Sequence, residues 1–278
     1  MKKLLSLFIL INFATTSLHA QKLEKVKGNR IVSKLGTDIP SFSKIDLDEH
    51  FDIELLYAKT PSVSIETDEN LHEVIEFAVI DSTLSFNFLK RITSKKRLKI
   101  QVNYDDALKE LISREHASIK GISSIKTTDF KIASEGSSKI SISLSATNFT
   151  LEGKDKSKVV LNLNGSVANL NLQNYAKLDA QINNDSTYVQ LQQRANAGID
   201  GNADSIEVLA DNSSTLMGKN YTLKTAKVSA NTSSTITLEV IDNITLEASG
   251  NSAVNIYGNP EIAVKRLVDT SKIQKKVR

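Results

Sequence analysis

From Ser137 to Val264 apolar residues alternate with polar ones in short runs: Ile140-x-Ile142-x-Leu144, Leu161-x-Leu163, Leu170-x-Leu172, Ile236-x-Leu238-x-Val240, Ile244-x-Leu246 and Val254-x-Ile256. A period of two over three to six residues marks a strand with one buried face. Asn, Asp, Gly, Ser and Lys fill the gaps, as tight turns require. The runs also recur. Ile140, Val159, Leu178, Ile199, Leu216, Ile236 and Val254 each follow a pair of mostly small or polar residues, at steps of 19, 19, 21, 17, 20 and 18 residues. A second column, Leu151, Leu170, Leu191, Val208, Val228 and Leu246, sits eight residues before the next member of the first. A fixed period near twenty predicts a solenoid, in which each repeat buries its apolar edge only against its neighbours. So short a repeat holds two strands and two turns but no helix, which excludes a leucine-rich horseshoe. Coils would stack by parallel pairing at about 4.8 Å, with Leu170 and Leu246 inward and Asn171 outward.

The stretch before this array is β-rich but irregular. Ile45-x-Leu47, Phe51-x-Ile53-x-Leu55, Val63-x-Ile65, Leu84-x-Phe86-x-Phe88 and Leu98-x-Ile100-x-Val102 alternate, and 105–116 reads as a short helix or a loop. An uncovered solenoid end polymerises edge to edge. Residues 21–136 are therefore expected to cap one end of a regular solenoid at 137–264, and the basic stretch 265–278 to be a tail or cap at the other. Pro40, Pro61 and Pro260 fall at junctions.

Residues 1–20 read as a secretory signal peptide: Lys2 and Lys3, the apolar run Leu4 to Phe13, and a small Ala20 before Gln21. No other apolar stretch is long enough to span a membrane as a helix. Without cysteine, an exported chain must rely on burial and hydrogen bonding. Residues 265–278 carry six Lys or Arg and one Asp, whereas 137–264 carry nine basic and twelve acidic residues. The basic balance is a tail effect, and the body has no face suited to nucleic acid.

Asn162, Asn164, Asn171, Asn174, Asn183, Asn184, Asn212, Asn231 and Asn251 cluster at strand ends and turns. Stacked coils let side-chain amides bond from rung to rung, and Asn tolerates left-handed corners.

Candidate chemistry is sparse. His50, His72 and His116 show no metal spacing and read as exposed turn residues; no cofactor motif is visible. Asp179 and Asp200 follow members of the first column and could stack on one face, but Ser141, Val160, Met217, Thr237 and Asn255 share that position, so no acidic ladder persists. Asp200-x-Asn202-x-Asp204 has oxygen-ligand spacing but lacks the bidentate Glu of a calcium loop, and reads as a polar corner. Tyr175, Tyr188, Tyr221 and Tyr257 share no single offset, so they form no continuous sugar-stacking platform.

Phe42-Ser-Lys-Ile-Asp-Leu47, Ser64-Ile-Glu-Thr-Asp-Glu-Asn-Leu71, Asp81-Ser-Thr-Leu-Ser-Phe86, Ser137-Ser-Lys-Ile140 and Val254-Asn-Ile-Tyr-Gly-Asn-Pro260 follow one another along nearly all of the mature chain. In that order they resemble the head-GIN domain family, an autotransporter-adhesin-like domain of secreted Bacteroidetes proteins. The family's Ser-Gly-Ser-Gly corners are here mostly Ser-Ser and Asn-Ser. The resemblance implies an all-β fold, a right-handed parallel β-helix-like solenoid with coils of about 19 residues, and supplies no catalytic residue. Some Bacteroidetes glycosylate exported proteins at Asp-Ser/Thr followed by an aliphatic residue or Thr. Ser82, Ser186 and Ser205 stand in such triplets.

These readings converge on a non-enzymatic, exported binding or structural module at the cell envelope, with a surface glycan or an envelope protein as partner. The rival is a carbohydrate-active β-helix enzyme of polysaccharide lyase or glycoside hydrolase type.

Overall fold

The computed structural model describes residues 23–277, so the leader expected at 1–20 lies outside the described residues. The chain is an all-β solenoid of about nine turns with coils of about 19 residues. The regular coils are 15-residue extended stretches, Lys139–Gly153, Lys158–Leu172, Lys177–Leu191 and Asn196–Ala210, each followed by a four-residue turn. All of them pair in parallel.

Parity explains how one stretch makes two walls. In Lys139–Gly153, Ile140, Ile142, Leu144 and Ala146 are buried. Thr147 and Asn148 both face out, and Phe149, Leu151 and Gly153 are buried again. Two consecutive outward residues switch the phase of a period-two pattern and bend the strand around the core. The second bend is the turn. Its second residue has positive φ in every coil: Gly136 (66°), Asp155 (59°), Asn174 (61°), Gln193 (62°), Asn212 (53°), Thr232 (43°), Gly250 (67°) and Asp269 (60°). Asn and Asp enter the left-handed region at low cost, which accounts for Asn174, Asn212, Asp155 and Asp269 at this position. Its fourth residue is small and buried, as in Ser138, Ser157, Ala176, Ala195 and Ser214, because the chain turns into the core there.

The backbone register corrects two members of the predicted columns. The first column runs Ile140, Val159, Leu178, Ala197, Leu216, Ile236, Val254, so Ala197 stands where Ile199 was expected. The second runs Leu151, Leu170, Val189, Val208, Val228, Leu246, so Val189 replaces Leu191. A slip of two residues keeps the same face inward, and hydrophobicity cannot detect it. Bulk misled the reading: Leu178 and Ala180 in one coil meet Ala197 and Ile199 in the next, so the large side chain moves two places while the core stays filled. Leu170 and Leu246 are buried and Asn171 is exposed, as expected.

Parallel rungs begin before residue 137. Lys44–Leu47 and Asp52–Tyr57 flank a first corner, and Glu110–Ser113 and Ser118–Gly121 stack beneath them. The segment read as a helix or loop at 105–116 is therefore a turn, a strand and a corner; the described residues have a single short 3-10 helix, Glu69–Val74. Antiparallel strands close this end. Leu98–Tyr104 lies beside Asp52–Tyr57 and carries Ser62–Asp68 and then Val32–Asp38; Thr83–Phe88 lies beside Lys44–Leu47 and carries Ile75–Ile80. At the other end Glu261–Leu267 and Lys272–Lys275 form the outermost rung. Among the described residues nothing stacks beyond Glu261–Leu267, and all seven of its residues are exposed.

Candidate functional site

Two departures from the 19-residue period matter. Ser118 to Lys120 pair with Lys139 to Ser141 at an offset of 21, but from Ile125, opposite Leu144, the offset is 19. Two extra residues therefore lie within Gly121–Ser124. A second insertion, near Tyr221, adds one residue against the preceding coil. The two resolve in opposite directions. Tyr221 turns inward and is fully buried, with its hydroxyl 2.7 Å from Thr187 Oγ1 and 3.0 Å from Asn184 Oδ1. Burial pushes its phenol up to about 12. That insertion fills the core.

The extra residues at 121–124 bulge outward where the cap meets the solenoid. There Tyr57 and Tyr104, opposite each other on parallel strands, sit edge to face with centroids 5.9 Å apart. Ser123 pins both: its Oγ accepts the Tyr57 backbone N–H at 2.7 Å and lies 3.0 Å from the Tyr104 hydroxyl. After Tyr104 the chain turns sharply, with Asp105 Oδ1 accepting the Ala107 N–H at 3.0 Å. Asp106 Oδ2 accepts from the Tyr57 hydroxyl at 3.3 Å. The result is a cavity of about 350 Å³ with Leu108 and Ile125 among its walls and Asp105, Asp106, Ser124 and Lys126 among its polar groups. Tyr104 is buried, while the Tyr57 ring is 44% exposed. The bond to Asp106, and then its charge, raise the Tyr57 phenol; burial raises that of Tyr104. Both phenols keep their protons at neutral pH.

A longer groove, about 580 Å³, runs down the outer face of successive coils over Ser141, Val160, Asp179, Gly198 and Met217. Asp179 and Asp200 both line it, but not in one column: Asp179 is opposite Gly198, and Asp200 is opposite Gln181. Asp179 pairs with Lys158 at 3.3 Å, and Asp204 with Lys224 at 2.6 Å. Asn202 joins a ladder instead, donating to Asn183 at 2.7 Å, which donates to Asn164 at 3.2 Å. Two of the three residues of the calcium-like spacing, Asn202 and Asp204, are thus engaged by separate partners. Among the described residues no group of three or more His, Asp or Glu is placed to hold a metal ion.

His50 and His116, 66 positions apart in sequence, stack at the corners of the first two rungs with centroids 4.8 Å apart. His72 is elsewhere, its Nε2 2.9 Å from Ser33 Oγ. Tyr175 lies under the Arg194 guanidinium and accepts a hydrogen bond from it; Tyr188 is exposed on the second wall. Of the acceptor candidates, Ser82 lies at the exposed tip of a hairpin, whereas Ser186 and Ser205 face each other across neighbouring coils with their hydroxyls 3.0 Å apart. The sequence reading did not single out the Tyr57–Tyr104 cavity. Its one signal was the longer spacing between the corners at Glu115 and Gly136.

A family model described as "Putative auto-transporter adhesin, head GIN domain" matches residues 41–176 and 161–260. Crystal structures of similar fold include one described as a "putative adhesin" from Parabacteroides merdae, 18% identical with TM-score 0.62, and one so described from Parabacteroides distasonis, 15% identical with TM-score 0.61. A third, described as a "Putative lipid binding protein" from Parabacteroides distasonis, is 18% identical with TM-score 0.59. Each comparison covers 91% of this chain and 100% of the other. Among curated proteins none matches.

Proposed function

The chain belongs to the head GIN domain family, and we propose that it works as a non-enzymatic binding module, exported to the periplasm, the outer-membrane surface or the medium. Its partner is a cell-surface glycan or an envelope protein. The observation that carries this reading is how the reactive side chains are distributed. Along the solenoid several acids pair with a lysine of a neighbouring rung, as in Lys131–Glu152, Lys154–Glu135, Lys158–Asp179, Lys224–Asp204 and Lys227–Glu207, and the acids are spread along the coils rather than gathered at one point. Recognition-type groups instead converge on the cavity at the cap junction, beside an exposed aromatic ring. Immobilised mature chain, offered envelope extract and a glycan array, should retain a specific glycan or protein, and fractionation of the host should place the chain outside the cytoplasm. A purely cytoplasmic location would overturn the reading.

The rival reading, a polysaccharide-cleaving enzyme, draws on the shared groove of Asp179 and Asp200. It predicts turnover of anionic or neutral polysaccharides that disappears when Asp179 and Asp200 are both changed to Asn.

A further inference from the structure

We propose that the cavity between Tyr57, Tyr104 and the insertion at 121–124 is a binding site for one neutral pyranose unit of a glycan. This rests on the binding-module reading and names its ligand class. The first support is origin. The regular coils manage both bends in 19 residues, and this coil needs 21. Its extra residues supply no core side chain: Ile122 is 52% exposed, and Ser123 and Ser124 face the cavity. The insertion near Tyr221, by contrast, delivers a large buried ring. A local break in an otherwise consistent pattern marks a place where something other than packing is served.

The second support is chemistry. A pyranose has an apolar face of C–H groups and a rim of hydroxyls that both donate and accept. The cavity presents the matching set: the exposed Tyr57 ring as an apolar wall, the Asp105 and Asp106 carboxylates as acceptors, and Lys126 as a donor. Asp106 is already oriented by its bond to Tyr57, yet that contact is long at 3.3 Å and leaves acceptor capacity on the carboxylate. An anionic ligand would meet two carboxylates, and a simple cation would leave the Lys126 ammonium facing like charge. A ligand of mixed donors and acceptors satisfies both. The volume of about 350 Å³ is at the small end of ligand cavities, suited to one ring of a longer chain that leaves through the open mouth.

The third support is rigidity. Ser123 ties the Tyr57 backbone to the Tyr104 hydroxyl from the neighbouring rung, and the Tyr57 ring rests edge to face on the buried Tyr104 with its hydroxyl on Asp106. The ring wall is therefore held before any ligand arrives, which lowers the ordering cost of binding.

The test is saturation-transfer NMR and titration of the mature chain with methyl β-D-galactopyranoside, methyl α-D-mannopyranoside and N-acetyl-D-glucosamine. At least one should bind saturably. Tyr57→Ala and Asp106→Asn should each weaken it by about tenfold or more in chains whose circular dichroism shows the fold retained, and Tyr188→Ala should leave it intact. Saturable binding that survives Tyr57→Ala would overturn the assignment of the cavity while leaving a binding module. Failure of all three sugars, with an envelope protein still captured by the chain, would overturn the ligand class alone. Failure of both would overturn the underlying function as well.

Discussion

Tyr221 places its hydroxyl 2.7 Å from Oγ1 of Thr187, a residue 34 positions earlier and two coils away. The contact ties two coils across the one between them through a single buried polar cluster, in which Thr187 also donates to Asn184 Oδ1 of its own coil at 3.1 Å. Tyr221→Phe leaves Asn184 and Thr187 bonded to each other, so the loss at neutral pH should be about 1–2 kcal/mol. Burial raises the phenol from 10.0 to about 12. The folded state then holds the proton more tightly than the unfolded one. Its contribution is whole below pH 10 and is lost as pH rises toward 12. Urea unfolding across that interval should show the wild type losing roughly 2 kcal/mol more than Tyr221→Phe. Parallel curves would show that the phenol does not titrate with folding.

Leu170 and Asn171 test the register of the stack. Leu170 is 2% exposed, and its neighbour faces solvent. Leu170→Asp should cost several kcal/mol through an unpaired buried carboxylate. Asn171→Asp should cost less than about 1 kcal/mol. Chemical denaturation of the two variants separates these outcomes, and equal losses would place the inward face one residue away.

Gly201 has φ of 117°, and a Cβ there would lie 2.1 Å from the carbonyl oxygen of Ile182 in the preceding coil. Backbone cannot yield as a flexible side chain does. Gly201→Ala should therefore destabilise by about 3 kcal/mol or more. Gly198→Ala, whose new atom meets nothing closer than 3.5 Å, should be neutral or slightly stabilising, by at most about 1 kcal/mol. Thermal melts of the pair provide the measurement.

Removing 265–278 should expose the end of the stack. Ile273 sits opposite Val254, and Leu267 opposite Ala248. A chain ending at Val264 loses both, together with the strand Lys272–Lys275. Sedimentation should show self-association through the newly bared rung, whose Val254 and Ile256 are buried beneath the basic outermost strand in the intact chain, accompanied by a lower melting temperature. A truncated chain that is monomeric and equally stable would make these residues an appendage.

Ser82, Ser186 and Ser205 differ as candidate glycan acceptors. Ser82 lies in an exposed two-residue hairpin turn with φ of 58°. Ser186 and Ser205 occupy adjacent rungs, about 4.8 Å apart in backbone spacing, and share a hydrogen bond, so one sugar there blocks the other. Chain purified from its native host should carry added mass that maps to Ser82, with Ser186 and Ser205 never modified together. A mass equal to that of residues 21–278 unmodified would end the proposal.

What the sequence determined by itself was periodic. Alternation placed Leu170 and Leu246 in the core, the step of about 19 made the coil, and the amide of Asn183 followed as a rung-to-rung bond to Asn164. Each of these depends on residues close in the chain or one period apart, which a single sequence displays. Only the tertiary structure decided whether Ala197 or Ile199 continues the first column, because both face inward and only backbone pairing distinguishes them. It also decided that the insertion at Tyr221 folds in while that at Ser123 folds out, since this depends on whether the neighbouring rungs leave a space to fill. The meeting of Tyr57, Tyr104 and Ser123 belongs to the same class. These residues are brought together by the junction of an antiparallel cap with a parallel stack, where the 19-residue repeat no longer says which residues are neighbours.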